Sequence, residues 1–363
     1  MNKKVQRIAL LVQYFPFPLL YPIHMKRNMN LWISSILSSR KEKPLPILSF
    51  PGIQLIHSSV NDVVKNGSIQ ARCMKALADR YSSLASVSNM DLSVEAEAFG
   101  SKVVFSEDEV PSVVGHIVET LEDARNLKVP PVGAGRTGEY VRAIGEALEQ
   151  IQDRPVLAGV IGPFSLAGRL MEMTEIMVKC LIEPDVVHLT LAKAAEFLLN
   201  YIAEFKRIGA HGVIMAEPAA GLLSPELCAE FSSAYIKPIV EAVQDEQFIF
   251  VYHNCGNTVP LIDSIVTTGA RAFHFGNAIR LKDVADRIPP DRLLMGNLDP
   301  ATLFRNGTPE LIRTAVVRLW EEMGAYRNFV ISSGCDIPPL TPLENVDAFF
   351  EAVRTVYCVS NRI

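Results

Sequence analysis

Several things are scarce in this chain, and each scarcity excludes a class of function. Lys and Arg total 35 against 40 Asp and Glu, a net charge of −5 with the signs interspersed. Such a surface lacks the basic footprint that nucleic-acid binding requires. No window holds the roughly 18–20 consecutive apolar residues of a membrane-spanning helix, so no membrane partner is expected. Only six cysteines, Cys73, Cys180, Cys228, Cys255, Cys335 and Cys358, are scattered over 363 residues. That is far from the density of a secreted disulfide scaffold and points to a reducing, cytoplasmic compartment. Internal repeats and low-complexity tracts are absent. What is abundant is apolar residues, at 49%, enough for one large core.

The first 24 residues stand apart. Lysines precede an apolar stretch, Ile8–Ile23, in the order of a signal peptide, but Pro16, Pro18 and Pro22 interrupt it and no small-x-small cleavage site follows. Residues 1–24 are expected to be poorly ordered or to precede a true start at Met25 or Met29. The amphipathic segment from Met25 to Arg40 is the expected first helix, and residues 25–363 a single domain.

From there short apolar segments alternate with helical periods. The expected strands are 46–50, 84–91, 156–161, 212–217, 248–255, 272–275, 292–296 and 328–332. Residues 95–106 make an excursion, and a charged Gly/Pro-rich connection runs from Glu122 to Gly138. Helices are expected at about Ser68 to Tyr81, after Ser224-Pro225-Glu226, after Asp299-Pro300, and after a capping box at Thr341-Pro-Leu-Glu344. Strands apolar on both faces, alternating with helices, form a parallel sheet. Eight such units fit an α/β fold of the (β/α)8 barrel type, in which functional groups gather at the carboxyl ends of the strands.

Those ends carry Asp91, Glu217, His253, Cys255, Asn277, Asn297, Asp299 and Cys335. In Phe248-Ile-Phe-Val-Tyr-His-Asn-Cys-Gly256, residues two apart on a strand project the same way, placing His253 beside Cys255. A soft sulfur next to an imidazole suits zinc. Cys335, after Gly334 at the last strand end, can join them across a barrel mouth. A His/Cys/Cys set leaves a fourth tetrahedral position open, as catalytic zinc does, and a thiol held there loses its proton. The bland alternative is that buried cysteines are small hydrophobes and the histidine a satisfied core group. Glu217 has the reach for a displaceable fourth ligand or a base, and equally for a strand-end carboxylate bonded to nearby backbone. Asn277, Asn297 and Asp299 are candidates for pocket polar groups that contact a cofactor, or for loop caps. Met171, Met173 and Met177 fit helix packing better than a soft wall for a bound ligand. The remaining cysteines fit packing too. His274 either reaches the pocket or is a hydrogen-bonded core group, and His188 and His211 have no assigned role.

Five stretches together resemble the uroporphyrinogen decarboxylase superfamily. They are Asp91-Leu-Ser-Val-Glu-Ala-Glu-Ala-Phe-Gly100, Gly162-Pro-Phe-Ser-Leu-Ala-Gly168, His253-Asn-Cys-Gly256, Gly296-Asn-Leu-Asp-Pro300 and the run from Gly334 to Asn345. Within it they look like the corrinoid-dependent methyltransferase branch typified by methylcobamide:coenzyme M methyltransferases. The resemblance implies a zinc site of His253, Cys255 and Cys335, with Asp91 where the decarboxylases keep an aspartate and Glu217 where relatives tend to have aspartate. It further implies methyl transfer from methylcobalamin, or a methylated corrinoid protein, to a small thiol. No Asp-x-His-x-x-Gly corrinoid motif occurs, so the corrinoid is expected on a separate protein. The rival is a decarboxylase, which needs an arginine-rich segment after the first strand to grip porphyrinogen carboxylates. Residues 49–56 contain no arginine. A non-catalytic, metal-capped binder is the third alternative.

Overall fold

The computed structural model describes residues 27–39 and 41–360, so the expectations for residues 1–24 and for a start at Met25 lie outside the described part. Seven parallel strands form one curled sheet: β1 (Ser86–Val87), β4 (Val156–Ile161), β5 (Gly212–Ala216), β6 (Ile249–Asn254), β7 (Ala272–Phe275), β8 (Leu293–Leu298) and β9 (Phe329–Ser333). Their spatial order is their chain order, the arrangement that successive strand–helix units produce when each crossover is right-handed. The excursion is an antiparallel ribbon of β2 (Lys102–Val104) and β3 (Ser112–Val114).

The expected first strand is a correction. Residues 46–50 form no strand; that part of the chain has only an isolated parallel bridge, Pro44 with Ile331, and then a 3-10 turn at Phe50–Gly52. The reason lies in its prolines. Leu45 N–H donates to the Ile331 carbonyl and Ile47 N–H to Ser333 Oγ, both toward β9. The alternate donors, which would face β1, belong to Pro44 and Pro46 and do not exist. Toward that side only the Pro44 carbonyl is used, accepting from Leu84 N–H. The segment thus bonds to both edges of the seven-stranded sheet without forming a ladder.

Inward-facing residues alternate as strand geometry demands. Leu45, Ile47, Ala85, Val87, Leu157, Ile214, Ile249, Val251, Ala272, Leu293, Met295 and Val330 make one buried cluster on the concave side. Helix Met29–Ser38 adds Met29, Ile33 and Ile36 to it, and Met29 N–H bonds the Glu246 carbonyl, just before β6 begins. This helix therefore closes the amino-terminal end of the sheet and leaves the carboxyl end to the site. The outer helices cover the convex face in a second, larger cluster. Helix Pro184–Arg207 is long and apolar enough to cross a membrane, but Leu191, Phe197, Leu198, Tyr201 and Phe205 bury its stripe in that cluster.

Local starts follow sequence in most places. Asn66 caps helix Gly67–Arg80, Ser224 accepts from Leu227 N–H ahead of Pro225, and Asp299 accepts from Ala301 and Thr302 N–H. The capping box at Thr341 does not form. Its helix begins at Leu343, so Glu344 falls one position short of the box, and Thr341 Oγ1 is buried without a partner.

Candidate metal centre

β6 is buried on both faces, with Phe250 and Tyr252 in the outer cluster and Ile249 and Val251 in the inner one. His253 continues the inward series. The strand ends at Asn254, whose carboxamide pins the turn: Nδ2 donates to the Glu217 carbonyl at 2.6 Å and Oδ1 accepts from Gly256 N–H at 2.8 Å. Cys255 sits just beyond, against Gly276, where a Cβ would lie 2.5 Å from Cys255 Cα. Cys335 follows β9, and Asp336 anchors its loop by accepting from Ser49 Oγ at 3.1 and 2.8 Å. Burial pushes the Asp336 carboxyl up to about 7.

The three strand ends converge. One ligand atom each from His253, Cys255 and Cys335 lies within 4.8 Å of the others, and Cys335 Sγ is 3.5 Å from His253 Nε2. Zinc bond lengths of about 2.3 Å to sulfur and 2.0–2.1 Å to nitrogen put tetrahedral N and S ligands about 3.6 Å apart. The donors therefore fit zinc in type and spacing. The hydrogen bond from Cys335, then His253, holds the Cys255 thiol well below its ordinary range, while that same bond and burial push Cys335 up. Thiolate ligands bind a divalent ion only after losing their protons, so a metal held here would displace any proton the sulfurs carry.

His253 is oriented from behind. Its register partner on β7 is His274, whose Nδ1 is 2.8 Å from His253 Nδ1, while His274 Nε2 is 2.8 Å from Ser332 Oγ. With Nε2 given to a metal, His253 would carry its proton on Nδ1, where the His274 ring nitrogen and, at 3.3 Å, the His274 carbonyl can accept it. Burial, reinforced by His253, keeps the His274 pKa well below the imidazole range. A ligating histidine fixed through its other nitrogen is the usual support for a metal site. Sequence left His274 open between pocket and core; only the register decides it.

The comparisons with known proteins agree with this architecture. The uroporphyrinogen decarboxylase (URO-D) family pattern matches residues 52–356. The chain belongs to that family. Among its relatives is methylcobamide:CoM methyltransferase MtbA of Methanosarcina mazei, 28% identical over 268 residues, which cover 73% of this chain and 77% of the relative. Another is uroporphyrinogen decarboxylase of Methylobacillus flagellatus, 28% identical over 356 residues and 92% of each chain. A solved methyltransferase from Methanosarcina mazei superposes with a TM-score of 0.81 at 22% identity, covering 92% of this chain and 100% of its own. That likeness speaks for the fold alone.

The other expected site residues of this family member sit elsewhere around the strand ends. Glu217 is fully buried and its oxygens are taken: Phe164 N–H donates at 2.8 Å, Ser165 N–H at 3.1 Å and Ser232 Oγ at 3.0 Å. It anchors the first turn of helix Pro163–Met171, where backbone N–H groups favour an anion. A Cβ on Gly162 would overlap this carboxylate. Glu217 is not in the metal group. Asp91 is buried too and accepts from Arg136 at 2.5 Å, Tyr140 at 3.2 Å, and Ser93 through N–H and Oγ at 3.0 and 2.6 Å. Arg136 also donates to Glu97 and the Val64 carbonyl. Neither carboxylate offers a free oxygen. Asn297 clamps a loop through the Gly276 and Ile279 carbonyls, Asp299 is a helix cap, and Asn277 is exposed beside Gly334. The first two are loop caps. Met171 is buried in the core and Met173 and Met177 pack against it. Arg136, Tyr140, Ser232 and Ser332 had no sequence signal, since their partners are distant in the chain.

Proposed function

We propose that this protein is a zinc-dependent methyltransferase that moves a methyl group from a methylated corrinoid to a thiol. The observation carrying the proposal is the convergence of His253, Cys255 and Cys335 at three strand ends, a donor set whose chemistry suits zinc with a position left for substrate. When bound, zinc would supply a Lewis-acidic centre that lowers the pKa of an incoming thiol and orients its sulfur. His253 Nε2 and the sulfurs of Cys255 and Cys335 would hold it, while His274, Ser332 and Asp336 keep those ligands in place. In the transfer an S–C bond forms as the cobalt–carbon bond breaks. The bonding pair stays on cobalt, and the thiol proton passes to solvent.

Architecture supports the same reading. We take residues 25–363 as one (β/α)8 barrel in which residues 43–47, bonded to both sheet edges, occupy the eighth position. Its carboxyl-end mouth would receive the methylated corrinoid, carried by a separate protein. The test is metal content and demethylation of methylcobalamin by added thiols, for the wild type and for Cys335→Ala. Zinc near one per chain with thiol-dependent demethylation, both lost in the variant, supports the proposal.

Decarboxylation of a porphyrinogen is the second reading, favoured by the M. flagellatus relative, which matches over more of the chain at equal identity. Against it, residues 49–56 carry no arginine, and Arg136 beside Asp91 already spends its donors on protein groups. A polyanionic tetrapyrrole would lack guanidinium partners there. Porphyrinogen binding by metal-free protein would favour this reading.

A further inference from the structure

Cys255 and Cys335 follow strands that are not neighbours in the sheet, β6 and β9, yet two glycines draw their loops together. The dipeptide Gly276-Asn277, just beyond β7, lies between them. On one side a Cβ at Gly276 would stand 2.5 Å from Cys255 Cα and 2.7 Å from its Cβ. On the other, a Cβ at Gly334 would stand 2.7 Å from Asn277 Oδ1 and 2.9 Å from its backbone nitrogen. A side chain at either glycine would push the cysteine loops apart, so the close approach depends on both. Each loop is also pinned, the first by Asn254 Oδ1 on Gly256 N–H and the second by Asp336 on Ser49 Oγ.

The outcome is two sulfurs within 4.8 Å of each other. Both cysteines are half-buried, so a small reagent can reach them, whereas Cys73, Cys180 and Cys228 are buried. A disulfide holds its sulfurs about 2.05 Å apart, which leaves at most about 3 Å to be closed by rotating the two side chains about their Cα–Cβ bonds. Metal binding and oxidation compete for the same electrons. A bound ion takes a lone pair from each thiolate, and in a disulfide neither sulfur is a thiolate any longer.

We propose that Cys255 and Cys335 are a modification site: when no metal holds them, a small-molecule disulfide oxidises the pair to a reversible disulfide that closes the site to zinc. One cysteine thiolate attacks the reagent, RSSR, forming a mixed disulfide and releasing RS⁻. The other thiolate attacks the cysteine sulfur of that bond and expels the second RS⁻. One S–S bond forms in the protein as one breaks in the reagent, and the two thiol protons end on the two RS⁻ released. The inference goes beyond the methyl-transfer reading and does not need it, since it stands on the placement of the sulfurs alone.

The test treats the full chain carrying Cys358→Ser, which removes the exposed thiol, with 2-hydroxyethyl disulfide. Of the six cysteines five then remain, and metal-free protein should fall to three titratable thiols. Its mass should drop by about 2 Da with no reagent attached, as closure of one disulfide requires, and digestion should release a cross-linked peptide pair holding residues 255 and 335. The oxidised protein should no longer take up zinc in a chromophoric chelator assay, and dithiothreitol should restore both thiols and uptake. Zinc added first should slow the thiol loss at least about tenfold. In Cys255→Ser and in Cys335→Ser no cross-link should form. Metal-free protein that keeps all five thiols would overturn the proposal. So would a reagent retained as a stable mixed disulfide, or a cross-link through Cys73, Cys180 or Cys228. A 255–335 cross-link in protein that never binds zinc would instead uphold the disulfide and sink the zinc reading.

Discussion

Glu217→Gln separates an anchoring carboxylate from a catalytic one. In the wild type, Oε1 accepts from Phe164 N–H and Ser232 Oγ, and Oε2 from Ser165 N–H. Glutamine keeps one acceptor and turns an NH2 toward a donor, leaving a buried N–H unpaired at about 1–3 kcal/mol. Burial raises the wild-type carboxyl from 4.5 to about 7. A group raised on folding contributes fully below its unfolded value, and the contribution is lost as pH climbs through the folded value. The wild type should therefore shed up to about 3 kcal/mol between pH 4.5 and 7, at roughly 1.4 kcal/mol for each pH unit crossed. The glutamine variant has no such slope. Urea unfolding should find it less stable by about 1–3 kcal/mol at pH 5, with the gap closing or reversing by pH 8. Methyl transfer should fall less than about tenfold, whereas loss of a general base costs about 10²–10⁴. A gap that widens with pH, or a hundredfold loss of activity at unchanged stability, would refute this reasoning.

Other consequences follow from the same contacts. His274→Phe removes the ring acceptor for His253 Nδ1–H, leaving only the longer contact to the residue-274 carbonyl, and should weaken zinc binding about 10–100-fold in chelator competition, with His274→Gln recovering part; equal affinity in all three would deny the orienting role. Arg136→Leu leaves Asp91 buried without its partner and should cost about 3–5 kcal/mol in denaturant unfolding, against near-zero cost if the pair were solvent-screened. Gly162→Ala places a methyl group on the Glu217 carboxylate, so it should lower the melting temperature and the yield of folded protein; a neutral result would mean that helix Pro163–Met171 shifts freely.

Strand ends were the legible part of this protein. Parallel strands buried on both faces read as apolar runs, and each run stops at a polar residue, so His253, Cys255 and Cys335 could be named together before any fold was known. The prolines that abolish the first strand were also in view, at Pro44 and Pro46, but a period-based reading weighs apolarity rather than missing donors. Asp91 and Glu217 illustrate the opposite case. Their residue types at strand ends suggested chemistry, yet what they touch depends on where helices Thr137–Gln150 and Pro163–Met171 begin. That placement is a tertiary fact with no local period. His274 stayed open between pocket and core, and Ser332 went unnoticed, for the same reason: the cross-strand contacts that link them to His253 have no local signal.

The most direct test of the metal–thiol account is zinc X-ray absorption on the protein before and after addition of a thiol substrate. Two sulfur neighbours and one imidazole from the chain, with a third sulfur appearing when the thiol is added, is the predicted result. Protein that transfers methyl groups without zinc, or zinc whose sulfur count stays unchanged by saturating thiol, would contradict it.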